Sequence, residues 1–202
     1  GGTTRPRNAA VGRADATTAI YKYTRRAALH TGGGVCGPDT VAPRDDFGHG
    51  THTAGITVGD DGSGNQIGMA PAAKCIGCRN MDQGNGTPTR YMECFEFFLA
   101  PYPICGTTAQ GDPSKAPDIT THSWQSPPRD GRSATTPQAT GDAQPPAAHI
   151  AVVGPATSPP SCSTVQNPPG IYDAAYSVGA LNNGTDTIAS FSRRGPVTAD
   201  GS

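Results

Sequence analysis

The clearest periodicity in the chain lies between Thr87 and Leu99. Tyr91, Cys94, Phe95, Phe98 and Leu99 recur there on one face at helical spacing. Thr87 followed by Pro88 predicts the start of that helix. A capping hydroxyl precedes a proline whose missing N–H would have no intrahelical acceptor anyway. Pro101 and Pro103 predict its end. An aromatic stripe of this kind is expected to be core rather than a ligand box. A shorter helix is expected from Thr53 to Val58, with Ala54, Ile56 and Val58 packing inward. Short apolar runs at 150–153 and 175–180 read as buried strands of a parallel sheet. The pattern fails between Trp124 and Ile150. Ser126-Pro127-Pro128, Thr136-Pro137 and Gln144-Pro145-Pro146 interrupt a stretch with almost no apolar residues. Such a segment cannot continue a helix and has little to bury, so 126–149 is expected to be poorly ordered. Asn183-Gly184-Thr185 has the form of a glycosylation acceptor but reads as a turn.

Composition tempers this picture. The chain is long enough, at 202 residues, to hold a sizeable core, yet it is only 34% hydrophobic and contains 27 Gly and 20 Pro. The net charge of -1 offers no argument for nucleic acid or an anionic membrane as partner. No apolar run approaches the roughly 20 residues of a transmembrane helix. No signal peptide is visible, and the expectation is a mature form or a fragment.

The six cysteines are Cys36, Cys75, Cys78, Cys94, Cys105 and Cys162. An even number permits disulfides in a secreted protein. Cys75-x-x-Cys78 has the spacing of a redox or metal pair, but no second pair accompanies it, which favours structural cysteines or free thiols.

Chemistry concentrates in Asp45-Asp46-Phe47-Gly48-His49-Gly50-Thr51-His52-Thr53-Ala54-Gly55. A histidine between two glycines, just ahead of a helix, is a side chain with room for a substrate beside it. A neutral imidazole there can take a proton from a nucleophile and return it to a leaving group. A metal site on His49 and His52 is the competing reading. Their i, i+3 spacing differs from the i, i+4 pair of helical zinc proteases, and no Glu follows His49.

This run resembles the histidine motif of the subtilases, the subtilisin-like serine proteases. The resemblance implies that His49 is the general base and that His52 is structural. Further stretches agree in the same order: Asn65 to Lys74, Cys75 to Arg79, Asp118 to Trp124, Ile171 to Ala180 and Ile188 to Pro196. It implies an α/β, three-layer subtilisin-like fold with a mainly parallel sheet, incomplete at both ends. Residues 1–202 would be one partial peptidase domain, with 1–30 and 126–149 diverged or poorly ordered. Cys75 to Arg79 would be a strand, and Asp118 to Trp124 would be the strand lining the substrate cleft, with Ser123, Trp124 and Gln125 as its cleft residues.

The same comparison identifies departures. A subtilase triad runs Asp, His, Ser along the chain. Residues 1–30 hold one acid, Asp15, and no Asp-Thr-Gly type motif, while no Gly-Thr-Ser-Met-Ala type motif occurs before Ser202. Thr157 falls where the family has its oxyanion asparagine; in subtilisin itself, losing that donor costs about 10²–10³ in turnover. Gln125 stands where the family has Gly. The resemblance thus implies a serine endopeptidase domain acting on polypeptides, without activity as this chain alone. The alternative is a non-catalytic pseudopeptidase that binds peptide. No cofactor is expected, although structural calcium occurs in the family. The resemblance also implies an extracellular monomer with no nucleic-acid or membrane partner.

Overall fold

A computed structural model describes residues 8–10, 25–27, 45–103, 107–125, 148–152, 161–173 and 175–198. The described residues fall into two compact units, and the division runs through one strand after Thr120.

In the first unit, strands β1 (Asn8–Ala10), β2 (Arg25–Ala27) and β3 (Lys74–Arg79) run parallel. β3 lies between the other two: Ala9 pairs with Cys75 on one side, and Cys78 with Arg26 on the other. β4 (Met81–Asp82) and β5 (Asn85–Gly86) form a small antiparallel hairpin. Its turn residues, Gln83 and Gly84, have φ of 47° and 80°. Two positive φ values suit the right-handed twist of paired strands, and the hairpin can therefore close in two residues. β6 (Ile119–His122) follows, and its first half pairs in parallel with β1 through Ala9–Ile119 and Ala10–Thr120. Its Ile-Thr-Thr run is β-branched, which fits an extended chain against neighbours.

Two helices serve this unit: α1 (His49–Val58) and α2 (Pro88–Leu99). α2 starts as its sequence predicts. Thr87 is the N-cap, its side chain accepts from the Arg90 amide, and Pro88 occupies the first turn. The buried residues are Tyr91, Cys94, Phe95 and Phe97. The expected stripe is thus corrected at its end: Phe97 is 1% exposed, whereas Phe98 and Leu99 are only partly buried. The core explains the shift. Phe97 packs with Ile76 of β3 and with Tyr102, which lies beyond the helix end, and Phe98 covers that cluster from the side. The Phe97 and Tyr102 rings meet nearly edge-on at 5.6 Å. This geometry adds an electrostatic preference to the area buried.

α1 begins four residues earlier than Thr53. Ala54 and Val58 are buried as expected, but Ile56 is 52% exposed. Residues 54, 56 and 58 cannot all share one face at 3.6 residues per turn, so reading them as a set fails on helical geometry. The last carbonyls of α1 are satisfied by the chain returning over it. Gly68 N–H donates to Gly59 (2.8 Å), Met69 to Ile56 (3.0 Å) and Ala70 to Thr57 (2.9 Å).

β3 and α2 are also joined covalently. Cys78 and Cys94 form a disulfide with Cα atoms 5.7 Å apart. Cys78 is therefore a structural cysteine, and its partner is not Cys75. The sequence alone left that pairing open.

In the second unit, β7 (Ala148–Val152) and β8 (Ala175–Val178) pair in parallel from His149–Ala175 to Val152–Val178. The strand expectation for 175–180 holds in type but not in burial, since Tyr176 is 74% exposed. The buried cluster lies beside β8 rather than on it: Val165, Ile171 and Tyr172, with Ala175 and Val197 against them. Thr164 ties the two ends of this cluster together. Its amide donates to the Arg194 carbonyl (2.9 Å), and its hydroxyl accepts from the Arg194 amide (2.8 Å). Buried Ser192 is satisfied as well, accepting from the Ala180 amide at 2.9 Å. Asn183-Gly184 forms the expected turn, with Gly184 at φ 72°. Within 126–149, only Ala148 and His149 are described, at the start of β7; the rest of that expectation lies outside the described residues.

Candidate active site

His49 is the first residue of α1, and the sequence around it explains why a helix begins there. Gly48 is the N-cap residue and has φ of 81°, a left-handed conformation that costs glycine nothing and other residues about 1–2 kcal/mol. Glycine has no side chain to cap the exposed amides, and Asp45 does it instead. Asp45 Oδ1 accepts from the Gly48 amide (2.7 Å) and the Phe47 amide (3.1 Å), and Oδ2 accepts from the Thr51 amide (2.7 Å). One carboxylate thus holds the approach to the helix and its first turn together. Burial alone would raise the Asp45 pKa, but hydrogen bonds from Thr51 and from the Phe47 and Gly48 amides outweigh it and hold the pKa below the usual value.

The neighbouring Asp46 faces away from the helix, toward the sheet. Its Oδ2 accepts from Arg79 Nη2 at 2.6 Å and from the Gln83 amide at 3.2 Å. Arg79 Nη2 also reaches Asp82 Oδ1 at 2.8 Å. Burial pushes the Asp46 carboxyl up, but the Gln83 amide and the Arg79 guanidinium lower it further than burial raises it. Neither aspartate was assigned a role from the sequence. A signal existed, because acids just ahead of a helix start commonly cap its amides. The link from Asp46 to Arg79, 33 residues away, has no such local signature.

The His49 side chain is exposed, and its imidazole makes no hydrogen bond among the described residues. His52 is exposed one turn on, and its amide donates to the Gly48 carbonyl at 3.0 Å. Among the described residues, no group of three or more His, Cys, Asp or Glu side chains is arranged to hold a metal ion. His49 belongs to the first unit; Ser123, Trp124 and Gln125 lie in the second, and the expectation that they belong to the cleft strand is corrected, since β6 ends at His122 and they follow it. Trp124 is half-buried and meets the buried His122 ring edge-on at 5.7 Å. Gln125 is exposed, and its Oε1 accepts from Asn167 Nδ2 at 3.2 Å. Thr157 lies outside the described residues.

Replacing Asp45 by Ala should weaken the start of α1 by about 0.5–2 kcal/mol, the usual loss on removing a helix cap. Amide exchange at Gly48 and Thr51 should quicken, while Phe97 stays protected. Acid should act in the same direction. A carboxylate with a depressed folded-state pKa stabilises the folded chain fully above its unfolded pKa of about 3.9. That contribution fades as pH falls through the lower folded value. Unchanged exchange at Gly48 and Thr51 in the Asp45→Ala chain would refute the capping role.

The geometry has parallels in known proteins. Over 166 residues, 77% of its length, the chain is 33% identical to the serine protease AprX of Bacillus subtilis (strain 168), covering 36% of that protein. It is 41% identical to bacillopeptidase F of the same organism over 87 residues, which are 42% of the chain and 6% of that protein. The chain therefore spans about a third or less of these relatives. Among solved structures, the S41 psychrophilic protease superposes with a TM-score of 0.55 at 21% identity, over 96% of this chain and 62% of that one. The S218A mutant of the PatA protease domain superposes at 0.52 and 15% identity, over 92% and 60%. Both share the fold, an α/β arrangement of the subtilisin-like kind. The model of the subtilase family, Peptidase_S8, matches residues 21–202, and the chain belongs to that family.

Proposed function

We propose that residues 1–202 form part of a serine endopeptidase domain and that His49 is its general base. The observation that carries this reading is the placement of His49. Its exposed imidazole sits at the first position of α1, beside a left-handed glycine, on a helix start capped by Asp45. A base must reach both nucleophile and leaving group, so it must be open to substrate yet fixed in direction. The chemistry is acyl transfer to water. A serine oxygen attacks the peptide carbonyl and loses its proton to His49, which returns it to the departing amine; an aspartate orients the imidazole. The 202 residues contain no matching motif for that serine or aspartate. The chain by itself should neither hydrolyse peptides nor react with a fluorophosphonate probe. Stoichiometric labelling of any of its serines would overturn this assignment.

The decisive experiment joins the aspartate- and serine-bearing segments of AprX to this chain, with Thr157→Asn to supply the oxyanion donor. That chimera should cleave peptide amides, and His49→Ala should lower kcat by roughly 10²–10⁴, the usual contribution of general acid–base catalysis. Reverting position 157 to Thr should lower kcat more than it changes KM, because the donor acts mainly on the transition state. A His49→Ala chimera as active as its parent would end the reading.

Location and partners follow as part of the same proposal. The substrate is a polypeptide, and the Cys78–Cys94 disulfide supports an oxidising, extracellular setting. No helix among the described residues is long and apolar enough to cross a membrane. A second reading is a non-catalytic remnant that binds peptide beside β6; Gln125, a side chain held by Asn167 where the family has Gly, is the departure from the family's cleft that favours it over catalysis. Saturable binding of an extended peptide to the 202-residue chain, with no cleavage by the chimera, would favour it.

A further inference from the structure

We propose that Arg79 is a positioning residue for His49, acting through Asp46; this rests on the reading of His49 as the general base. The side chains of Arg79 and Asp46 are each 8% exposed, so the pair is buried. A buried ion pair adds little net stability compared with apolar side chains of the same volume, because desolvating both charges offsets their attraction. Its value here lies in where it fastens the chain. Asp46 stands three residues before His49, and the bridge pins it to Arg79, the last residue of β3. The same oxygen takes the Gln83 amide in the turn of the β4–β5 hairpin. The Phe47 ring lies against that turn too: a Cβ added to Gly84 would come within 3.2–3.4 Å of three of its carbons. On the other side, Asp45 binds the Gly48 and Thr51 amides. The segment 45–48 is thus held from the sheet by Asp46 and from the helix by Asp45. Gly48, whose amide Asp45 holds, stands between the pinned Asp46 and His49, so these contacts together set the direction in which His49 leaves the segment.

Arg79 does this with one nitrogen. Nη2 carries both carboxylate contacts, while Nε and Nη1 are buried with no acceptor among the described residues. The work asked of residue 79 is therefore that of a point charge rather than of a planar fork, and an ammonium can supply it. That sets an unusual expectation: Lys should replace Arg here, while Gln should not.

The test is backbone relaxation by nuclear magnetic resonance on the 202-residue chain and its Arg79→Gln, Asp46→Asn and Arg79→Lys variants. In the parent, His49 and Gly48 should have order parameters near the rigid value of about 0.85. Arg79→Gln and Asp46→Asn should each lower both toward about 0.6. Ile76 and Phe97 should stay rigid in every variant, and Arg79→Lys should restore His49. A bridge that only stabilised the fold would loosen the core along with His49, and that result overturns the proposal. An Arg79→Gln chain that folds with His49 as rigid as before overturns it as well, and so does failure of Lys to restore rigidity. If Arg79→Gln does not fold, Asp46→Asn, which keeps the side-chain shape, decides by the same criterion. If neither folds, the bridge is a stability element and the proposal fails. The measurement reads where His49 is held whether or not it accepts a proton, so its outcome is separate from that of the His49→Ala assay.

Discussion

Phe97→Ala is expected to destabilise the first unit by about 3–5 kcal/mol, the range for emptying a buried aromatic site. Phe97 is 1% exposed and joins α2 to β3 through Ile76 and to the segment beyond the helix through Tyr102. Removing it deletes the hydrophobic transfer of a whole ring and leaves a cavity that Tyr102 and Phe98 can fill only by leaving their present packing, at 5.6 and 5.8 Å between ring centres. Total stabilities of about 5–15 kcal/mol make this a large fraction. Denaturant titration should show a lower midpoint with an unchanged slope, the signature of lost stability rather than altered compactness. Phe98→Ala should cost less, since Phe98 is only partly buried. A Phe97→Ala loss no larger than that of Phe98→Ala would show that the core is not centred where the structure puts it.

Breaking the Cys78–Cys94 disulfide should have an effect of similar size, about 3 kcal/mol for a closed loop of this length. The bond closes a loop of sequence separation 16 that contains the whole β4–β5 hairpin and the first half of α2. Its stabilisation comes mainly from limiting the unfolded chain, so replacing both cysteines by Ala should lower the midpoint without disturbing the native amide resonances of β3. The same hairpin carries Gln83 and Asp82, which hold Asp46 and Arg79. Loss of the disulfide should therefore also speed amide exchange at Gln83. A double variant as stable as the parent would mean that the loop is already ordered when the chain is unfolded, and the entropic account would fall.

Much of the local structure was legible in the residues themselves. Thr87-Pro88 marks the start of α2 because both residues act on the helix's own first turn, and Tyr91, Cys94 and Phe95 are buried as their spacing demands. His49 was legible because its flanking glycines are neighbours in sequence. Phe97 was not. Its burial depends on Tyr102 and Ile76, which helical spacing within 87–99 does not register. Ile56 departs from expectation because apolar character alone does not bury a residue, and α1 turns that position outward. The exposure of Tyr176 has the same origin: β-propensity specifies an extended strand, but only a covering layer makes it buried.

The family, the place of the candidate base and the existence of the two helices are readable from the chain alone, because each rests on residues close together along it. Three features emerge only in the folded chain: Cys78 pairs with Cys94, Asp46 is tied to Arg79, and Asp45 rather than the residue next to the helix caps α1. The first two join positions 16 and 33 residues apart. Their energies depend on geometry that many pairings of the same residue types could satisfy, so they are settled only when the strands and helices have brought particular side chains within bonding distance. The third is close in sequence, but it depends on a left-handed turn at Gly48 that folds the Asp45 carboxylate back onto amides it could otherwise not reach.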